Sequence, residues 1–145
     1  MKDNLRHIWT IICQKSSIDA SSNLLSLFEV LEKIDINLDP RIQSYKEGQV
    51  LAIPFNFEIA SFWRKGKENK GEVRFRLLSP EGKELNVFPF EVVIPEELQA
   101  SRVIVKISGL GFTTSGEYKV EVQQKIGKEF KAVAEVPFDI VIHKQ

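Results

Sequence analysis

One cysteine, Cys13, stands among 145 residues, so no disulfide can form within the chain. The only histidines are His7 and His143, fewer than the three or four protein ligands a zinc centre usually takes. Both fall in or at the ends of terminal strands, and as neighbours they would make only a minimal metal pair. Charge of one sign is also lacking. Twenty basic and twenty acidic side chains give a formal net charge of zero, which removes the long-range attraction that nucleic-acid and anionic-membrane binding rely on. Long apolar runs are missing. Ile8 to Cys13 is too short for the apolar region of a signal peptide, and Ile12 stands where a lipoprotein signal needs a small residue. A cytoplasmic location without membrane contact is therefore expected.

The residues for several kinds of chemistry are missing too. Asp19, Asp35, Asp39 and Asp139 are scattered; Asp35 and Asp39 share a loop at most, well short of a calcium cage. Gly109-Leu110-Gly111 lacks the further glycine, the lysine and the following helix of a phosphate-binding loop. Nucleophilic catalysis needs a base beside the nucleophile, and a cysteine in apolar surroundings such as Cys13 is inert. No catalytic, metal-binding or cofactor-binding residue is assigned, and the chain is not expected to be an enzyme.

What is present is alternation. From Thr114 to His143 two strands follow one another. Tyr118, Val120, Val122 and Ile126 share a face in the first, and Phe130, Ala132, Ala134, Val136, Phe138, Ile140 and Ile142 share one in the second. Gly127-Lys128 supplies the turn between them. Pro137 lacks an N–H and predicts an edge or a bulge there. Tyr118 opens its strand after a Gly/Thr/Ser loop. That is the position of the tyrosine corner of immunoglobulin-like domains, although a ring that merely packs would read the same way.

Upstream, Leu5 to Gln14 reads as a strand with Leu5, Trp9, Ile11 and Cys13 on one face and Ile8 and Ile12 on the other. Lys15 to Asn23 reads as a loop and Asp35 to Gly48 as a connector. Gln49 to Arg64 is the longest strand, with Leu51, Ile53, Phe55, Phe57, Ile59 and Trp63 inward and an edge or bulge at Pro54. Arg64 to Gly71 is a charged turn, after which Glu72 to Ser79 returns with Val73, Phe75 and Leu77 inward. Ser79-Pro80-Glu81-Gly82 has type I turn chemistry. Glu84 to Ile94 is a strand made an edge or bulged by Pro89, with Phe88 and Phe90 assigned to core rather than an exposed patch. Pro95 to Ser101 would make one helical turn crossing between sheets. Arg102 to Ser108 is a strand with Val103, Val105 and Ile107 inward, and Gly109 to Ser115 a loop.

Residues 24–34 fit two patterns. Leu24, Leu27, Phe28, Leu31 and Ile34 follow helical spacing, behind cap candidates Ser21, Ser22 and Asn23. On pattern alone this stretch is a helix. The strand reading puts Leu24, Phe28, Val30 and Ile34 on one face and Leu25, Leu27 and Leu31 on the other, buried on both sides, and periodicity does not settle between them. The count is thus seven strands, or eight if this stretch is extended. These bounds predict one all-β domain over residues 1–145, an immunoglobulin-like or C2-like antiparallel β-sandwich.

The chain resembles a family of small uncharacterised bacterial β-sandwich proteins, also carried by phages and mobile elements. The resemblance rests on the strand ending at Cys13, on Ile18-Asp19, Asn23, Leu25-Ser26-Leu27-Phe28 and Ile34, and on Pro54-Phe55 and Phe62-Trp63-Arg64. It continues in Arg102, Gly109-Leu110 and Gly116-Glu117-Tyr118. It implies that residues 24–34 are extended, with Leu25, Leu27 and Leu31 alternating with Ser26, Phe28 and Val30. It implies no activity.

The expected role is therefore a non-catalytic intracellular binding or scaffolding module. Its partner is a protein or a second copy, met through edge strands marked by Pro89 and Pro137 or through end loops. The candidate surface is Phe62, Trp63, Arg64, Lys65, Lys67 and Lys70, where basic residues adjoin aromatics. The alternative is a carbohydrate-type ligand site with Trp63 or Phe62 as an exposed stacking platform.

Overall fold

The computed structural model describes residues 4–38 and 49–144. Among them are nine strands and no helix: β1 (Leu5–Ile18), β2 (Leu25–Val30), β3 (Lys33–Leu38), β4 (Leu51–Lys65), β5 (Lys70–Leu78), β6 (Glu84–Val93), β7 (Ala100–Phe112), β8 (Gly116–Ile126) and β9 (Glu129–Lys144). They form a four-stranded sheet, β2-β1-β4-β7, and a five-stranded sheet, β3-β9-β8-β5-β6.

The inward residues of both sheets make one buried cluster. Ile12, Phe57, Ile59, Trp63, Ile107, Leu110 and Phe112 come from the smaller sheet. Ile34, Ile36, Val73, Phe75, Val92, Tyr118, Val120, Val122, Phe138 and Ile140 come from the larger. Period-two alternation puts these side chains on one face, and burial of that face supplies the main driving force. The inward set expected for β4 is the observed one. Phe88 and Phe90 pack against the cluster, Phe90 against Phe75 at 4.7 Å between centroids.

Several boundaries differ from the sequence reading, each for a local reason. The stretch 24–34 is not the helix its spacing alone favours. It is extended, as the resemblance implied, because its residues pair with β1 and β9, and it breaks at Leu31-Glu32 into the end of β2 and the start of β3. That break raises the count from eight to nine. The expected connector Asp35–Gly48 begins as strand β3; residues 39–48 lie outside the described residues, and Asp39 with them. β1 runs on to Ile18, through part of the expected loop. β7 runs from Ala100 to Phe112, beyond both expected ends, because Gly109 at φ 93° carries the strand past a kink that a side chain would resist. The sheets are not purely antiparallel: β3 pairs parallel to β9, from Lys33↔Asp139 to Leu38↔Lys144. Pro95 to Ser101 is a turn closed by Leu98 N–H to the Pro95 carbonyl, not a helical turn.

β1 and β9 also correct their expected faces. In β9 a register shift makes Val133 an extra residue, so Phe130 and Ala132 oppose the outward Lys125 and Gln123 instead of sharing the face of Ala134 to Ile142, and Phe130 lies under Arg74. A register shift between His7 and Trp9 makes Ile8 an extra residue, so Leu5 before it and Thr10 and Ile12 after it all turn inward. Trp9, Ile11 and Cys13 turn outward instead of sharing the face of Leu5. The prolines act as chemistry dictates. Pro54 falls within the β4 register shift, Pro89 is on the edge strand β6, and Pro137 lies just before the part of β9 that pairs with β3. The charged turn after Arg64 does not close a hairpin; it carries the chain from one sheet to the other.

Among the described residues every buried side-chain nitrogen and oxygen has a hydrogen-bond partner. The Tyr118 hydroxyl donates to the Thr114 carbonyl at 2.6 Å and accepts the Thr113 N–H at 2.8 Å, so it does bond back to upstream backbone. The Ser79 turn is closed by Gly82 N–H to the Ser79 carbonyl at 2.9 Å.

Candidate surface on the smaller sheet

Paired residues in an antiparallel ladder share a face, so the register of β1, β4 and β7 reads out the outer surface of their sheet in rows. Arg6, Arg64 and Ala100 make the first row. Trp9, Phe62 and Arg102 make the second, and Ile11, Ala60 and Ile104 the third. Cys13, Glu58 and Lys106 make the fourth.

The β1–β2 hairpin bends back over this surface. A straight strand rises about 3.3 Å per residue, which would carry Ile18 roughly 30 Å beyond Trp9. Yet the Asn23 carbonyl, at the hairpin tip, accepts a hydrogen bond from Arg102 Nη2 at 2.5 Å, in the row of Trp9. Ser16 Oγ likewise donates to Glu58 Oε1 at 2.5 Å. Both contacts place the hairpin across rows two to four. Its cover explains why Cys13, Glu58 and Ala60 are buried although they face away from the core. The tip is shaped by Asp19, whose carboxylate accepts from the Ser21 and Ser22 N–H groups and from the Ser21 hydroxyl. Those bonds favour the charged form and hold the Asp19 pKa down to about 2. Asn23 takes a left-handed φ of 59° at the same tip.

Beneath the tip lies an open groove of about 180 Å³, lined by Trp9, Asn23, Leu24, Leu25, Phe62 and Arg102. Trp9 and Phe62 stack on one another with centroids 5.7 Å apart and planes at 20°. One face of each ring is thereby spent on the other. Leu24, Ile18, Phe28 and Val30 remain exposed on the hairpin. Cys13, under the hairpin, has its thiol pKa pushed up by burial and by the nearby Glu58 charge.

The six residues expected to form one surface are separated. Trp63 is a correction: it is 0% exposed, because its inward position on β4 puts it in the core, where its indole N–H donates to Ser61 Oγ at 2.8 Å. It is no exposed platform. Phe62 and Arg64, on the alternate face, belong to the outer surface. Lys65 Nζ is bound to the Glu96 carbonyl at 2.6 Å. Lys67 lines a different hollow, with Asn4, Ile126, Gly127, Lys128, Glu129 and Lys131. Lys70 opens β5 in the other sheet. Arg6, Trp9 and Arg102 join Phe62 and Arg64 instead. Their only signal in the sequence was the pattern of strands, since the register that aligns them lies between strands.

The histidines have separate partners. His7 Nε2 lies 2.7 Å from Thr10 Oγ1 and its ring meets Trp63 edge-on at 5.1 Å; burial pushes its pKa down. His143 Nε2 lies 2.9 Å from Asp35 Oδ1. That contact and Lys33 lower the Asp35 pKa, the His143 bond contributing most. Among the described residues no three His, Cys, Asp or Glu side chains are grouped as metal ligands would be.

The open edges among the described residues include the outer strands β2, β7, β3 and β6 and the uncovered parts of β1 before Ile12 and of β9 before Asp139. The β1 part is broken by the register shift at Ile8, and the β9 part carries Pro137 and the charged Glu129, Lys131 and Glu135. β6 carries Pro89. β2 is six residues long and kinked at Glu29, a non-glycine residue at φ 54°. β3 is also six residues long and presents Lys33, Asp35 and Asn37 outward. β7 has thirteen residues, no proline, and no neighbour on the side away from β4 among the described residues. Comparison with protein-family models and with curated proteins finds no match.

Proposed function

We propose that this chain is a non-catalytic binding module that receives an extended segment of a partner protein along the free edge of β7. The observation that carries this reading is the edge itself: a long strand, free of proline and of acidic residues, with half-buried Val103 and Val105 along it. Unpaired N–H and C=O groups on such an edge are a template for another strand, and proteins normally blunt them. β6, β2 and β3 are blunted by proline, kink or shortness, the uncovered part of β1 by its bulge at Ile8, and the uncovered part of β9 by Pro137 and its charges; β7 is the longest edge with none of these.

The same reading takes the fold as an immunoglobulin-like sandwich. Support comes from two sheets sharing one core, from chain crossings between sheets after β4, β6 and β7, and from the Tyr118 hydroxyl bonded to backbone four residues upstream. Membership of the β-sandwich family drawn in the sequence, and a cytoplasmic setting, belong to this reading on the sequence grounds given above.

Amide hydrogen exchange on the isolated chain tests it. Between Ala100 and Ser108, alternate amides, those turned away from β4, should exchange fast while their neighbours stay protected. Uniform protection would mean that the edge is already covered, and the reading would fall. A second reading, a small-ligand site, moves from Trp63 to the groove under Trp9 and Phe62. It predicts a change in tryptophan emission on titration with a monosaccharide panel; unchanged emission at saturating sugar removes it.

A further inference from the structure

The open edge of β7 carries one sign of charge. Its outer face presents Arg102, Ile104 and Lys106, and its inner face Val103, Val105 and Ile107. Behind Arg102 on the same face lie Arg64 and Arg6, which are direct cross-strand partners. Like charges placed opposite each other destabilise a sheet, so this pair costs the fold something and gains no partner within it. Among the described residues none of these four cations forms an ion pair. Arg102 gives one N–H to the Asn23 carbonyl, which is neutral. The acid that faces this surface is Glu58, opposite Lys106, and it is buried under the hairpin and bound by Ser16.

We infer that the segment received at this edge is an acidic-apolar strand of a partner protein, with the pattern acid–apolar–apolar–apolar–acid. The inference rests on the edge reading proposed above. Residues of an added strand share a face with those they oppose. Positions opposite Arg102 and Lys106 therefore meet cations, the position between them meets Ile104, and the two inner positions extend the core beside Val103 and Val105. The pattern is symmetric, so it serves either strand direction. A second copy of β7 fits worse, because its own Arg102 and Lys106 would bring cations to cations. A nucleic acid fits worse as well. It has no peptide backbone to complete the ladder, and Trp9 and Phe62 have turned ring faces to each other rather than outward.

The experiment uses the full chain and three labelled, end-capped peptides. One has the acidic pattern, one has lysine in place of both acids, and one keeps the acids but has serine at the two inner positions. Binding is read by anisotropy at low and high salt, and exchange of the β7 amides is followed in parallel. The acidic pattern should bind roughly tenfold more tightly than the lysine peptide, with the gap narrowing as salt rises. The serine peptide should bind more weakly than the acidic one, and Lys106→Glu, which leaves the hairpin tip untouched, should weaken the acidic peptide roughly threefold or more. Equal binding of the acidic and lysine peptides, with edge amides protected by both, would sink the charge inference and leave the edge reading standing. Failure of all three, with edge amides still exchanging fast, would sink both. A dimer that protects the edge without peptide would assign it to a second copy and overturn the inference.

Discussion

Gln124 holds Leu5 by both ends of its amide. Leu5 N–H donates to Gln124 Oε1 at 2.7 Å, and Gln124 Nε2 donates to the Leu5 carbonyl at 3.1 Å. Both residues are 0% exposed. The side chain thus stands in for a neighbouring strand, and it fastens β1 of one sheet to β8 of the other. Gln124→Met keeps the length of the side chain and removes both bonds. It leaves a buried N–H and a buried C=O unpaired, at about 1–3 kcal/mol each. Urea unfolding should show a loss of about 3 kcal/mol. A loss below about 1 kcal/mol would mean that water reaches Leu5.

The Tyr118 hydroxyl serves two backbone groups at once, the Thr113 N–H and the Thr114 carbonyl. Tyr118→Phe retains the ring against Phe138 and deletes only those bonds. The expected cost is about 1–3 kcal/mol in the same measurement. An unchanged midpoint would reduce Tyr118 to a packing residue.

His7 ends a hydrogen-bonded chain that runs from the Trp63 indole through Ser61 and Thr10. An indole N–H can only donate. Ser61 therefore accepts from Trp63; with the neutral His7 ring carrying its proton on Nδ1, Ser61 donates to Thr10 and Thr10 donates to the bare Nε2. Protonation makes that nitrogen a donor and reverses the chain, leaving the Ser61 hydrogen only the Trp9 carbonyl at 3.5 Å. Burial sets the folded pKa of His7 below its ordinary 6.5. At pH values between the two, the unfolded chain binds more protons. Stability is thus full above pH 6.5 and is lost as pH falls through the folded value. Melting temperature across about pH 5–8 should fall on the acid side, and His7→Gln should flatten that fall. An identical slope in the variant would exonerate His7.

Trp63 and Trp9 should report different environments. In a Trp9→Phe chain the remaining emission belongs to Trp63 in the core. It should be blue-shifted and poorly quenched by acrylamide. Red emission with efficient quenching would put the indole on the surface after all.

Cys13 is buried between Val30 and Glu58, on the face that the hairpin covers. Arg102→Gln removes the bond that holds the hairpin tip. A thiol reagent should then label Cys13 several-fold faster while global stability changes little, since the opening is local. Equal labelling rates would show that the tip bond does not govern access.

The strands and their inward faces were legible wherever alternation was uninterrupted, as along β4, β5 and β8. Legibility failed where one residue changes the phase. Ile8 adds a residue to β1 and turns Trp9, Ile11 and Cys13 outward, which no local period foretells. It failed again where a strand has a parallel partner far along the chain, as β3 has in β9. The candidate surface was half visible. Phe62 and Arg64 stood out as neighbours in sequence, and Trp63 stood out with them, but adjacent strand residues point to opposite faces. Arg6 and Arg102 join Phe62 and Arg64 only through the register of three strands.

The place of β9 between β3 and β8 sets a timetable for synthesis. β3, residues 33–38, leaves the ribosome early, yet its only ladder partner among the described residues is the stretch Asp139–Lys144. At about 5–20 residues per second, it waits several seconds with both edges open. The larger sheet closes only when the last of these residues has emerged. Folding of this chain is therefore a late event, completed after translation has passed residue 144 rather than strand by strand, and the hazard of wrong pairing is concentrated in that interval.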